Sequence, residues 1–150
     1  MGCFAHELTL LVRVFNLNQS RYRQEIMARI ETTVDLEKDL TMYIVNGEVS
    51  ADEIIERVIV YYTKHPTSLV LWFMEDAFTG GISTGEIEKI ILTAKKYSGS
   101  RKGGKTAIVG PKEIDYGLAR MYQTFSELEG LPYEYRVFKE LEEAKDWLGA

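Results

Sequence analysis

The chain has one cysteine, two histidines and three prolines in 150 residues. With Cys3 alone, an intrachain disulfide and any cysteine-based metal cluster are excluded. His6 and His65 are too few for a multi-histidine zinc or iron centre, and no Ser–His–Asp or Cys–His set can be assembled around them. No metal or cofactor is therefore expected, and His65, just before Pro66, reads as a loop residue. Basic residues are in the minority: 18 Lys and Arg stand against 23 Asp and Glu, a net charge of −5. Such a chain carries no overall field that would draw it to nucleic acid or an anionic membrane. Long apolar runs are missing as well. LTLLV (8–12) lies between Glu7 and Arg13, too short for a membrane span and without the flanks of a secretory signal. Gly2 lacks the Ser or Thr at position 6 that a myristoylation motif requires. The expectation is a cytoplasmic protein with no integral membrane association and no nucleic-acid partner.

What is present is an ordinary globular composition, 45% hydrophobic and 27% charged, at a length that suits one core. Residues 1–26 read as an N-terminal extension, and Met27 opens a regular pattern so cleanly that it is a candidate true start. The domain then covers 27–150. ARIETTVDL (28–36) and LTMYIVNG (40–47), separated by Glu37-Lys38-Asp39, read as a hairpin. Ser50 and Glu53 have the spacing of a capping box and open a helix with Ile55, Val58, Ile59 and Tyr62 on one face. Pro66 ends it. SLVLWFM (68–74) is apolar throughout, as in a parallel strand covered on both sides. Ser83 and Glu86 repeat the capping box before the stripe Ile87, Ile90, Ile91 and Ala94. KTAIVG (105–110) is a further short strand. Ile114, Leu118, Met121, Phe125 and Leu128 mark the next helical stripe, YEYRVF (133–138) the last strand, and Leu141, Ala144, Trp147 and Leu148 the last helix. The order ββαβαβαβα predicts an α/β fold: a mainly parallel sheet with an antiparallel N-terminal hairpin strand, flanked by helices.

GSRKGGKT (99–106) has the form G-x-x-x-x-G-K-T of a phosphate-binding P-loop. A P-loop runs from a strand into a helix, whose amino end faces the phosphate. Here a helix precedes and a strand follows, so the motif reads as a helix-to-strand connection on the opposite rim from the one where α/β sheets bind ligands. Gly99 serves as a helix stop and Gly103-Gly104 as a tight reversal. Lys95, Lys96, Arg101, Lys102 and Lys105, with no acid among residues 95–105, read as a solvated basic loop; the alternative is an anion-attracting rim.

The ligand-binding rim is formed by EDAFTGGISTG (75–85) and GPKEIDYG (110–117), which follow adjacent parallel strands. Ser83 is an N-cap and, at a helix amino terminus, also a place where a phosphoryl group would be stabilised. Glu75 and Asp76 are the one acid pair there that a metal-dependent or phosphoryl-transfer enzyme could use. Tyr116 and Arg120 are i, i+4 neighbours, either a small anion clamp or an Arg covering a ring. Phe78, Tyr116 and Met121 are candidate linings for an apolar pocket. The candidate interaction surface is Glu75, Asp76, Phe78, Thr84, Gly85, Tyr116, Gly117 and Arg120.

HPT before the strand LVLWFM, KTAIV followed by YGLARMY, and the terminal YRVFKELEEAKDWL together resemble the SpoIIAA-like, STAS/SEC14-type bacterial proteins over nearly all of 27–150. The resemblance implies a STAS-like domain that is non-catalytic and regulatory, working through a protein partner. The STAS-type anti-sigma factor antagonists carry D-S-x-G before the second helix, with the serine phosphorylated by a partner kinase. Ile82-Ser83-Thr84-Gly85 matches at Ser83 and Gly85, while Ile82 stands in place of the acid. The SEC14 side of the resemblance implies instead a carrier or sensor of a small apolar or lipid-like ligand.

Overall fold

A computed structural model describes residues 29–64 and 66–150. The extension 1–26, the start at Met27 and the loop reading of His65 lie outside the described residues. β1 (Arg29–Asp35) and β2 (Leu40–Glu48) form the expected antiparallel hairpin. Its turn is held by the Asp35 carboxylate, which accepts the Glu37 and Lys38 amides at 3.1 and 3.2 Å. There follow α1 (Ala51–Lys64), β3 (Leu69–Phe78), α2 (Thr84–Tyr97), a 3-10 turn (Ser98–Arg101), β4 (Lys105–Val109), α3 (Glu113–Leu128), β5 (Glu134–Phe138) and α4 (Leu141–Leu148). The order is the predicted ββαβαβαβα.

The sheet runs β1-β2-β3-β4-β5, with β2 to β5 all parallel. Each crossover steps one strand in the same direction, so right-handed connections put α1, α2 and α3 on one face. That face is the main core. Tyr43 and Val45 of β2, Val70, Trp72 and Met74 of β3, and Ile108 of β4 pack against Tyr61, Ile87, Ile90, Ile91 and Ala119 of the helices. The opposite side chains of the same strands, Leu71, Ala107 and Val109, are covered by Ala144 and Leu148 of α4. The period of two along a strand explains this division. The apolar run in β3 is thus covered on both sides, as its composition requires. No helix among the described residues is long and apolar enough to cross a membrane.

Two helical stripes differ from the pattern expected. In α1 the expected Ile55, Val58 and Tyr62 do pack against the core, joined by Ala51, Ile54 and Tyr61, while Ile59 is exposed. In α3 the buried positions are Asp115, Ala119 and Ser126, while Ile114, Met121 and Leu128 of the expected stripe are exposed. The inward seam still carries Leu118, Ala119, Tyr122 and Phe125, and Asp115 joins it with the Thr79 hydroxyl, on the loop after β3, as its partner. Hydropathy alone cannot register that gain.

Candidate functional site

At the carboxyl ends of the strands, Ser83 caps α2. Its Oγ accepts the Glu86 amide at 3.2 Å, and the Glu86 carboxylate accepts the Ser83 amide at 2.8 Å. Ser50 and Glu53 make the same reciprocal pair at the start of α1, at 3.2 and 2.8 Å. Ile82, in the position before the cap, is buried with Ile87, the fourth helical residue. This hydrophobic staple sets the angle at which the chain enters α2 and gives Ile82 a structural reason to be apolar.

Thr84 Oγ lies 3.9 Å from Met121 Sδ, which brings α2's amino end beside α3. Phe78 and Ile114, 64% and 66% exposed, stand on the same rim. The Lys112 ammonium lies 5.1 Å over the Phe78 ring and pairs with Asp76 at 2.8 Å. The cation over Tyr116 is Lys139, at 5.1 Å, itself paired with Glu113 at 2.7 Å, so the covering role considered for Arg120 falls to a different residue. Glu113 thereby raises the Lys139 pKa. Gly85 and Gly117 are exposed helix positions where a Cβ would meet open space, so neither is required by packing.

Glu75 and Asp76 are exposed at the end of β3, after an irregularity in its pairing with β2. Asp76 is committed to Lys112, and no group of three His, Cys, Asp or Glu among the described residues could hold a metal.

Phe78, Tyr116 and Met121 do not wall the apolar cavity found among the described residues. A cavity of about 70 Å³ sits between the sheet and the helix layer, walled by Trp72, Met74, Ile82, Ile87 and Ile108 among others. Its polar wall residues include Thr79, Tyr122 and Tyr135, and one carboxylic acid, Asp115 of α3. Asp115 is 3% exposed; its Oδ1 accepts the Thr79 hydroxyl, while Oδ2 has no hydrogen-bond partner among the described residues. Sequence reasoning missed Asp115 because an acid in the first turn of a helix is ordinarily a solvated dipole complement. The one available signal was DYGLA: an acid three places before an apolar residue on the inward side.

On the opposite rim, GSRKGGKT is the expected helix-to-strand connection; Lys95, Lys96 and Lys102 are exposed as expected, and the exception is Arg101. Arg101 is 4% exposed. It donates from Nε to Thr67 O (3.2 Å), from Nη1 to Thr106 Oγ1 (2.8 Å), and from Nη2 to Ser68 O and Lys105 O (3.0 and 2.9 Å). Its guanidinium lies 4.3 Å over the Tyr133 ring. The loop's amides are used internally: Gly103 N bonds Pro132 O, Gly104 N bonds Arg101 O, and Lys105 N bonds Ser68 O. A P-loop needs those amides for phosphate, so the motif has no phosphate cradle. Three of the five cations of the anion-attracting alternative are engaged within the protein, while Lys96 and Lys102 are exposed. Arg101 is buried, Lys95 pairs with Glu129 at 3.0 Å, and Lys105 donates to Trp147 O at 3.3 Å.

Around Arg101 lies a group of tyrosines. Burial raises the phenol pKa of Tyr43, Tyr122, Tyr133 and Tyr135 above the ordinary 10.0, against an opposing pull from Arg101. The folded state holds these protons more tightly than the unfolded chain does. Their contribution is therefore complete below about pH 10 and is lost as pH rises above it. Tyrosinate absorbance should appear together with loss of helical circular dichroism in an alkaline titration. Smooth ionisation of all tyrosines with the helices intact would contradict this packing.

An antiparallel hairpin strand on an otherwise parallel sheet, three helices on one face and a terminal helix on the other, defines a SpoIIAA-like, STAS-type α/β fold. Among solved structures the chain is similar to an uncharacterized protein of the DUF3478 family with a SpoIIAA-like fold from Shewanella loihica. Their TM-score is 0.52 at 16% identity, over 81% of this chain and 93% of that one. It is similar as well to the anti-sigma factor antagonist SpoIIAA in its unphosphorylated form, with a TM-score of 0.50 at 12% identity over 83% and 99%. No protein-family model and no curated protein sequence matches the chain. At these identities the likeness is one of fold.

Proposed function

We propose that this chain is a non-catalytic, cytoplasmic regulatory domain that binds another protein through the carboxyl rim of its sheet, with Ser83 as a phosphorylation switch. The observation that carries the reading is the exposed Ser83 cap beside the exposed side chains of Phe78, Ile114 and Met121. Exposed apolar side chains grouped at one rim suit a protein partner. The fold's occurrence in an anti-sigma factor antagonist supports the same reading. A phosphoryl group on Ser83 adds a charge of about −1.5 to −2. It would sit against the Glu86 carboxylate that now accepts the Ser83 amide, and repulsion would open the capping box and change the rim that the partner meets.

The test joins phosphate incorporation in the native host with partner capture. Ser83→Ala should abolish incorporation while lowering stability by only about 1 kcal/mol, the usual value of a cap. Phe78→Ser should release the partner and leave stability almost unchanged. Ser83 unmodified in every growth state would remove the switch, and a partner retained by Phe78→Ser together with Ile114→Ser would remove the surface.

A second reading, a carrier or sensor of a small apolar ligand, is favoured by the cavity beneath the helix layer. Its walls are mostly aliphatic, and ligand sites of this kind are apolar with a few placed polar groups.

A further inference from the structure

β5 (Glu134–Phe138) is the last strand of the sheet and pairs with β4 alone, so its outer edge has no strand beside it among the described residues. The inner pairing fixes which backbone groups that edge presents. The Glu134 amide donates to Gly104 O at 3.0 Å, and Phe138 O accepts the Gly110 amide at 2.9 Å. Glu134, Arg136 and Phe138 thus direct their backbone groups to β4, and the alternation of a strand turns those of Tyr135 and Val137 outward.

Little blunts this edge. β5 has no proline, no lysine and no bulge in its pairing with β4, the devices that commonly keep an edge strand from pairing. Nor is the edge filled in. A groove of about 480 Å³ opens beside Tyr133, Glu134, Tyr135 and Arg136, bounded by Glu127 of α3 and by Trp147 of α4.

Charge selects the occupant. Glu134 and Arg136 are both exposed, and neither makes an ion pair among the described residues. The Arg136 guanidinium lies 5.9 Å over the Phe138 and Trp147 rings, on the face that α4 covers. A single sign of charge here would repel a second copy; two opposite signs two places apart do the reverse. In a two-fold antiparallel pairing centred on Glu134 or on Arg136, that residue faces its own copy, and like charges directly opposite are unfavourable. Centred on Val137, Arg136 faces Phe138 and gains no carboxylate. Centred on Tyr135, Glu134 of each copy faces Arg136 of the other. In that register the two Tyr135 residues exchange both outward backbone bonds, and Val137 comes opposite Tyr133.

We infer that two copies of this chain join β5 to β5 about a two-fold axis at Tyr135, which extends the five-stranded sheet continuously from one copy into the other. The contact is isologous, as closed two-fold symmetry requires. Because the joined strands run in opposite directions, the two carboxyl rims point away from each other. The surface is therefore separate from the rim that carries Ser83 and does not depend on its proposed role.

Sedimentation equilibrium of the full chain, in reductant so that Cys3 cannot cross-link, tests this. The wild type should be a dimer. Glu134→Arg and Arg136→Glu each set like charges opposite at both contacts and should raise the dissociation constant at least about tenfold. Both positions are exposed, so neither change should disturb the fold. The double exchange, Glu134→Arg with Arg136→Glu, should restore the dimer. Mixing the two single variants should give a mixed dimer, since one is basic and the other acidic at both positions. Amide exchange supplies a second readout: Tyr135 and Val137 amides should be protected in the wild type and exchange rapidly in either single variant. A monomeric wild type overturns the inference. So does a dimer whose dissociation constant ignores the single reversals, or one that the double exchange fails to restore.

Discussion

Arg101→Ala is expected to destabilise the protein by about 2–4 kcal/mol, although residues 99–106 have the composition of a surface loop. The guanidinium ties the 3-10 turn to the start of β3 at Thr67 and Ser68 and to β4 at Lys105 and Thr106. No carboxylate is among its hydrogen-bond partners in the described residues, so its charge is spread over carbonyls, a hydroxyl and aromatic faces. Hydrogen bonds to a charged group contribute roughly 1.5–3 kcal/mol each but do not add. Part of the loss is buffered, because Thr67 O keeps Tyr61 and Ser68 O keeps the Lys105 amide. Truncation also leaves a void beneath Tyr133, and voids add to the cost. Arg101→Lys should recover little, since an ammonium cannot reach acceptors placed for a planar fork. Denaturant unfolding against Lys102→Ala, whose side chain is exposed, makes the comparison: the control should stay within about 0.5 kcal/mol of wild type. Equal, small losses at both positions would return Arg101 to the solvent.

Gly110→Ala is expected to cost roughly 1–3 kcal/mol and to loosen the candidate ligand site, although it adds a single methyl group. Gly110 donates to Phe138 O at 2.9 Å, which pins it to β5, and α3 begins at once beyond it. The added Cβ would meet the backbone of Asp115 and Tyr116 well inside contact distance, and backbone cannot turn aside as a flexible side chain can. The amino end of α3 must move out, carrying Asp115 from Thr79. Gly117→Ala, on the same helix, is the control. Its Cβ meets nothing within 4 Å, and replacing a helical glycine should stabilise by about 0.5–1 kcal/mol. Opposite signs for the two Gly→Ala changes are the expected result. Like signs would mean that α3 is not seated on β4 as described.

Much of the architecture was legible because its signals are local. A capping box needs only Ser50 with Glu53, or Ser83 with Glu86, and a hairpin needs two β-rich runs around a charged turn. The doubly covered β3 could be read from its unbroken apolar run. The P-loop pattern could be set aside from chain order alone, because a helix came before it and a strand after. Where the reading failed, polar residues faced inward. Arg101 was counted with the solvated cations because nothing near it in sequence reveals the carbonyls of Thr67 and Ser68, more than thirty positions away. Of the α3 stripe, Leu118 and Phe125 pack inward while Ile114, Met121 and Leu128 are exposed, because Asp115 and Ser126 share the buried seam. Phe78, Tyr116 and Met121 do not wall the cavity, since exposed and inward apolar residues are identical in a string of letters.

The sequence by itself determined the succession of elements, the caps and the absence of a metal-binding cysteine or histidine set, all of which depend on residue type and on spacings of a few positions. The tertiary structure alone decided that Arg101 is a buried tether, that Ile82 is a helix staple, and that Asp115 is buried against Thr79. Burial is a property of what other segments bring alongside. A charge that reads as solvated over ten residues becomes structural when distant backbone carbonyls, or a single threonine hydroxyl, are folded against it.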